Sequence, residues 1–350
     1  PSGCVLGWSS RRSQRRGWCA DMRVLVIGGT RFIGRRIVDA LVARGDGVLV
    51  VHRGEHEPAD LARCRHLHTD RARFAGVAHA VREFAPDGVV DTMALTRADA
   101  DAVLPHLPEV PLVLLSSMDT YLAYELFQAG RAGEPLPLTE DSPVRTTRYP
   151  HRGVGHGMDD YDKLLVEPDY LARGGTVLRL AMVYGEHDPQ RREEFVLRRV
   201  RAGRTRIPVG AANWLWTRIH VDDVATATLA ALDTPSARGE ILNIGETTTG
   251  TFRGWVSQIL AAADHNAELV RVPAEVLPED MMLTGSFAQH MLFASDKARR
   301  LLSWSSRPTE ETVARSVRWH LAHPPESASD EVTVDAFTAD DRALAVADAG

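Results

Sequence analysis

One run near the start of the chain limits what it can fold into. Arg23 to Ile27 reads as a buried strand. Gly28-Gly29-Thr30-Arg31-Phe32-Ile33-Gly34 follows it directly and opens a helix whose Ile37, Leu41 and Val42 share one face. Small residues at such a turn let the backbone approach a pyrophosphate, and the helix N-terminus offers free N–H groups and the positive end of its dipole. Gly28 suits the tight turn, and Gly34 suits close packing of helix on strand. Thr30, Arg31, Phe32 and Ile33 complete a loop expected to hold a dinucleotide.

Further strands are expected at Val48–Val51, Arg65–Thr69, Gly88–Asp91, Leu112–Leu115 and Thr176–Leu180, with helices at 74–84, 98–107 and 159–173 between them. Strands alternating with helices at this spacing predict a Rossmann-type, doubly wound parallel sheet over residues 22–184. Residues 125–158 read as a long irregular excursion. Residues 185–323 predict a smaller mixed α/β substrate lobe, with 217–245 contributing to both lobes. The remainder is assigned outward: 1–21, arginine-rich without an apolar run, as an extension outside the fold, and 324–350 as an acidic tail in which Phe337 and Leu344–Val346 suit a docked helix. At 350 residues, 44% hydrophobic and with net charge −6, the chain has the core of a globular protein and no general affinity for nucleic acid. No run reaches the ~18 apolar residues of a membrane span. Cys4, Cys19 and Cys64 lack metal or redox spacing, which suits a reducing cytoplasm.

Five segments in order extend the argument. The glycine turn resembles TGxxGxxG of extended and atypical short-chain dehydrogenases/reductases, the NAD-dependent epimerase/dehydratase family. Asp70 corresponds to an aspartate near the adenine, and Ser116-Ser117-Met118-Asp119-Thr120-Tyr121 is similar to SSxxVY. Leu178 to Gly185 resembles LRxxxVYG, Ile219 to Ala225 is IHVDDVA, and Asn243-Ile244-Gly245 is NxG. The resemblance spans Met22 to His323. It implies hydride transfer with a nicotinamide cofactor, a tyrosine as acid/base, a Ser or Thr hydroxyl on the substrate, here Ser117, and a lysine that tunes the tyrosine and holds the ribose.

Lys163 fills the lysine position, with Glu167 closing KxxxE, and it is one of only two lysines beside 39 arginines. The tyrosine is the departure. YxxxK puts both side chains on one helix face, ~40° apart, but Asp159 stands at the tyrosine position. Tyr161 lies two residues before Lys163, ~200° away on a regular helix. Tyr161 is the preferred acid/base if the helix begins near Asp159 and leaves its first turn free. Asp119, Tyr149 and Tyr124 are the rivals.

An NAD enzyme places an acid after the second strand; here His52 and Arg53 follow, and with Arg31 they suit the 2′-phosphate of NADP, NAD remaining the alternative. Trp216 occupies the place of the arginine that faces the diphosphate in nucleotide-sugar epimerases, which argues against that substrate. Trp214, Trp216, Trp255 and Trp304 are candidates for an apolar site, and no metal site is expected from the histidines, His151 and His156 included. The reading is an NAD(P)-dependent oxidoreductase, epimerase or dehydratase acting on a sugar-like or secondary-metabolite alcohol or ketone. Its alternative is a catalytically degenerate NAD(P)-binding sensor or nucleic-acid-associated protein. Monomer and homodimer are both open.

Overall fold

The computed structural model describes residues 22–58, 61, 63–154, 157–325 and 337–349. The expectations for 1–21 and for His156 fall outside them. The central sheet takes its strands from β1 (Arg23–Ile27), β2 (Gly47–His52), β3 (Arg65–His68), β4 (Gly88–Asp91), β5 (Leu112–Ser117), β6 (Thr176–Leu180) and β10 (Ile241–Ile244). Their order is β10-β6-β5-β4-β1-β2-β3, and every pairing is parallel. The order reverses between β1 and β4, so a crevice opens at their C-terminal ends, the place where such sheets take ligands.

β1 shows why the sheet is buried twice. Side chains alternate across a strand. Val24 and Val26 enter a core with Ile37, Val38 and Leu41 of α1 (Phe32–Arg44), while Leu25 and Ile27 enter a second core with Val81 and Phe84 of α2 (Ala78–Phe84). Val103 of α3 (Arg97–Val103) and Val166 of α5 (Lys163–Ala172) join that second core, and α4 (Leu122–Gln128) opens the long excursion. On the first face α1 packs along α7 (Val221–Asp233), an alanine-rich helix that permits close approach.

The rest of the chain adds two small parallel pairs. They are β7 (Met182–Tyr184) with β9 (Arg218–His220), and β8 (Arg206–Val209) with β11 (Glu268–Arg271). Around them lie α6 (Glu194–Arg201), α8 (Phe252–Ala262), α9 (Asp296–Leu302) and α10 (Thr309–Ala322). The acidic tail is not wholly solvated. It ends in α11 (Thr338–Ala349), which docks through buried Phe337, Ala343 and Leu344, and buried Asp340 pairs with Arg199. Charge pairing overrides the composition there, because Arg198 and Arg204 also lie over the Phe337 ring. Among the described residues no helix is long and apolar enough to cross a membrane.

Candidate active site

The glycine turn sits at the crevice. Gly28 has φ +89°, and a Cβ there would lie 2.4 Å from Met93 Cγ; a Cβ on Gly34 would lie 2.1 Å from the Gly28 carbonyl. Only glycine fits either place. The turn is further tied by the Thr92 hydroxyl, which donates to the carbonyls of Ile27 and Gly28. This narrow, backbone-lined cradle fits a pyrophosphate. Arg31 lies exposed at its rim, while Asp70 caps the turn after β3 by accepting from the Ala72 N–H.

Beside the cradle is a cavity of about 850 Å³ bounded by Phe32, Ser117, Asp119, Tyr161, Lys163 and Trp216 among others. β5 delivers Ser117 at its last residue and Asp119 just beyond. The helix expected over 159–173 begins only at Lys163, with Asp162 as its cap accepting from the Leu164 N–H. Tyr161 therefore precedes the helix and is released from its phase, so the ~200° separation does not apply. Its phenol donates to Asp119 Oδ2 at 2.8 Å, and the Lys163 ammonium lies 6.0 Å from its ring centroid. Asp159, at the family's tyrosine position, is exposed and accepts from the Gly153 N–H. Tyr124 lines the cavity as well, whereas Tyr149 stacks under Arg152.

The protonation states follow from burial. Tyr161 is pushed well above the ordinary phenol value, first by burial and then by the Asp119 charge it faces; the Ser117 hydroxyl and the Arg145 charge pull the other way. Burial also drives Tyr124 up to about 12. The same desolvation lowers Lys163 to about 8. Its Nζ donates to the Ala94 and Leu115 carbonyls at 2.7 and 2.8 Å, and an ammonium has a third N–H for a ligand.

Arg145, Asp162 and Asp91, which set this geometry, were not singled out from the sequence. Buried Arg145, from the long excursion, donates to the Asp119 carbonyl and to the Asp162 carboxylate, and so locks Asp119, Tyr161 and Lys163 to one another. Asp162 accepts as well from the Tyr149 N–H. Asp91, fully buried at the end of β4, accepts from the N–H groups of Met93 and Ala94 and pairs with Arg71, which shapes the turn whose carbonyl holds Lys163. An aspartate closing an apolar strand is the one signal that pointed there. Glu167, four residues after Lys163, accepts from the Ser116 hydroxyl at 2.5 Å and pairs with Arg179.

Several expected contacts lie elsewhere. The Gly54 N–H donates to His52 Nδ1, so Nε2 carries the proton and donates to His66. His52 is thus buried in protein contacts, and Arg53, exposed and paired with Glu55, remains at the rim. Trp216 and Trp255 line the cavity, but Trp214 is core, stacked on Phe127 and Phe252, and Trp304 bonds Thr226 on the far side of α7. Arg218, two residues after Trp216, is buried against Glu246.

The sequence profile of the NAD dependent epimerase/dehydratase family matches residues 24–107 and 168–245. The chain belongs to that family. It is 27% identical over 304 residues to the chloroplast stem-loop binding protein of 41 kDa b from Arabidopsis thaliana, covering 81% of this chain and 75% of that one. It is also 27% identical over 317 residues to a 3-diazoavenalumate denitrifying reductase from Streptomyces sp, covering 82% and 96%. Among solved structures, a UDP-glucose-4-epimerase from Stenotrophomonas maltophila with bound NAD and formylated UDP-arabinopyranose superposes with TM-score 0.66 at 20% identity, covering 86% of this chain and 98% of that chain.

Proposed function

We propose that this family member is a reductase, converting a ketone to an alcohol with NADP(H), and that Tyr161 supplies the proton. The observation that carries this is the phenol of Tyr161, held protonated by burial and by Asp119, on the same cavity as the glycine cradle and Lys163. A phenol that resists ionisation is a poor resting base. It remains a competent acid toward an alkoxide, which is more basic than a tyrosinate. When bound in the cradle, the dinucleotide supplies the hydride. Ser117 positions the substrate oxygen, Tyr161 donates to it, and Lys163 holds the ribose through its third N–H. His151 Nε2 lies 3.4 Å from Asp119 Oδ2 and is partly exposed, which gives a route for the proton to return. The test is a structure with NADP⁺ bound. A Tyr161 hydroxyl farther from the nicotinamide C4 face than one bridging water spans would remove Tyr161 from this role.

The NADP preference rests on two exposed guanidiniums: Arg31, at the N-cap of α1, and Arg53, which follows β2 and is ion-paired with Glu55 at 3.0 Å. Arg53→Ala is expected to weaken NADP⁺ about tenfold, with NAD⁺ little changed. Titration by fluorescence decides it: tighter NAD⁺ than NADP⁺ in the parent protein refutes the assignment. Lys163 adds a pH dependence. Its ammonium loses its proton as pH rises through about 8, so dinucleotide affinity is expected to fall across that value. Lys163→Met should bind weakly and without that step; an identical pH profile in the variant counts against ribose binding by Lys163.

The similarity to the stem-loop binding protein favours a second reading, an RNA-associated protein that keeps the dinucleotide lobe. Gel-shift titration with a stem-loop RNA distinguishes the two: salt-sensitive binding with no carbonyl-dependent NADPH oxidation supports it.

A further inference from the structure

Asp119 is buried, with its side chain 7% exposed, yet its Oδ1 has no hydrogen-bond partner among the described residues. No arginine or lysine among them forms an ion pair with this carboxylate. Arg145 reaches only its backbone carbonyl, and the basic group that reaches the carboxylate is His151. A buried anion with an open acceptor is costly unless a cation or donor meets it. Tyr124 and Tyr161, both close enough for the Asp119 charge to act on them, bound the same cavity together with Trp216. A carboxylate among aromatic faces is the chemistry that recognises an ammonium.

Another part of the lining pairs its charges internally. Its arginines all have acidic partners, two of them shared: Arg191 meets Glu194 at 3.2 Å, as Arg201 also does, Arg192 meets Asp188 at 2.9 Å, and Arg198 meets Asp280 at 2.6 Å, as Arg199 also does. Trp255 Nε1, also buried on this cavity, is a donor without a partner and suits a hydroxyl or carbonyl oxygen. Resting on the reductase reading for the reacting carbonyl, we infer that the substrate is an amine-bearing ring ketone of the amino-sugar or aminocyclitol kind, its ammonium on Asp119 Oδ1 and an oxygen on Trp255 Nε1. A nucleoside-diphosphate sugar would bring two negative charges toward the buried Asp119 carboxylate.

The experiment measures binding, so it stands apart from turnover. Saturation-transfer NMR on NADP⁺-loaded protein compares glucosamine, N-acetylglucosamine and UDP-glucose as probes. Glucosamine is expected to bind about tenfold or more tightly than either of the others, the scale of one charge-assisted contact. Asp119→Asn should remove the gap between glucosamine and its N-acetyl form, and Trp255→Phe should weaken both alike. The two sugars compared on the parent protein need no variant to fold. Equal binding of the two, tighter UDP-glucose, or no glucosamine signal while NADP⁺ stays bound overturns the inference. Loss of the reductase reading would show instead as absent NADPH oxidation or a misplaced Tyr161, with the amine preference intact.

Discussion

Tyr161→Phe is expected to lower ketone turnover ~100-fold or more, the scale for losing a general acid, with cofactor binding kept. The substitution removes one oxygen and keeps the ring that packs against His151. Its cost in stability should be only ~1 kcal/mol, one hydrogen bond to Asp119. A large kinetic loss beside a small stability loss therefore separates a chemical role from a structural one. The measurement is kcat with NADPH and a carbonyl substrate, together with the NADP⁺ dissociation constant. Turnover close to the parent's would exclude Tyr161 and transfer the proton to Asp119, which Asp119→Asn would then reveal.

The largest stability effect is expected at Asp162→Ala. Its carboxylate, fully buried, meets Arg145, whose side chain is 1% exposed, and it also caps α5. Removing one partner of a buried pair leaves an uncompensated charge and costs ~3–5 kcal/mol, with the lost cap adding ~1 kcal/mol. The melting temperature should fall by roughly 10 °C. Because Tyr161 and Lys163 flank Asp162, dinucleotide affinity should fall as well. The double variant Asp162→Ala with Arg145→Met should recover much of the stability, since the stranded cation is gone. A single-variant melting temperature within a few degrees of the parent would show that the pair does not hold the excursion in place.

The long excursion explains why this region resisted sequence reasoning. Spacing counted along the chain assumes one continuous helix through Asp159, Tyr161 and Lys163. Asp162 ends that continuity by accepting from the Leu164 N–H, and its partner Arg145 stands 17 residues away. Nothing local marks such a pairing. The family-like segments were plain as motifs, but part of their role is architectural. Tyr121 donates to Asn243 inside the core, His220 caps α7 through its own ring, and Glu167 braces Ser116. A motif marks that residues are needed together; it does not say whether they touch substrate.

What the chain alone determined is the parallel sheet and the glycine cradle. Both rest on short-range rules: alternation along β1, a turn that only Gly28 and Gly34 allow, and an amphipathic helix beginning at once after it. The amino-acid order also placed Ser117 and Lys163 in a shared site through their resemblance to known segments. Only the tertiary structure decided that Tyr161 and Tyr124 line one cavity with Ser117 and Lys163, that His52 is locked between Gly54 and His66, and that the acidic tail closes as α11 against Arg199. Those outcomes depend on buried charges finding partners far along the chain. Such pairings follow from packing and desolvation in three dimensions, where sequence distance carries no weight.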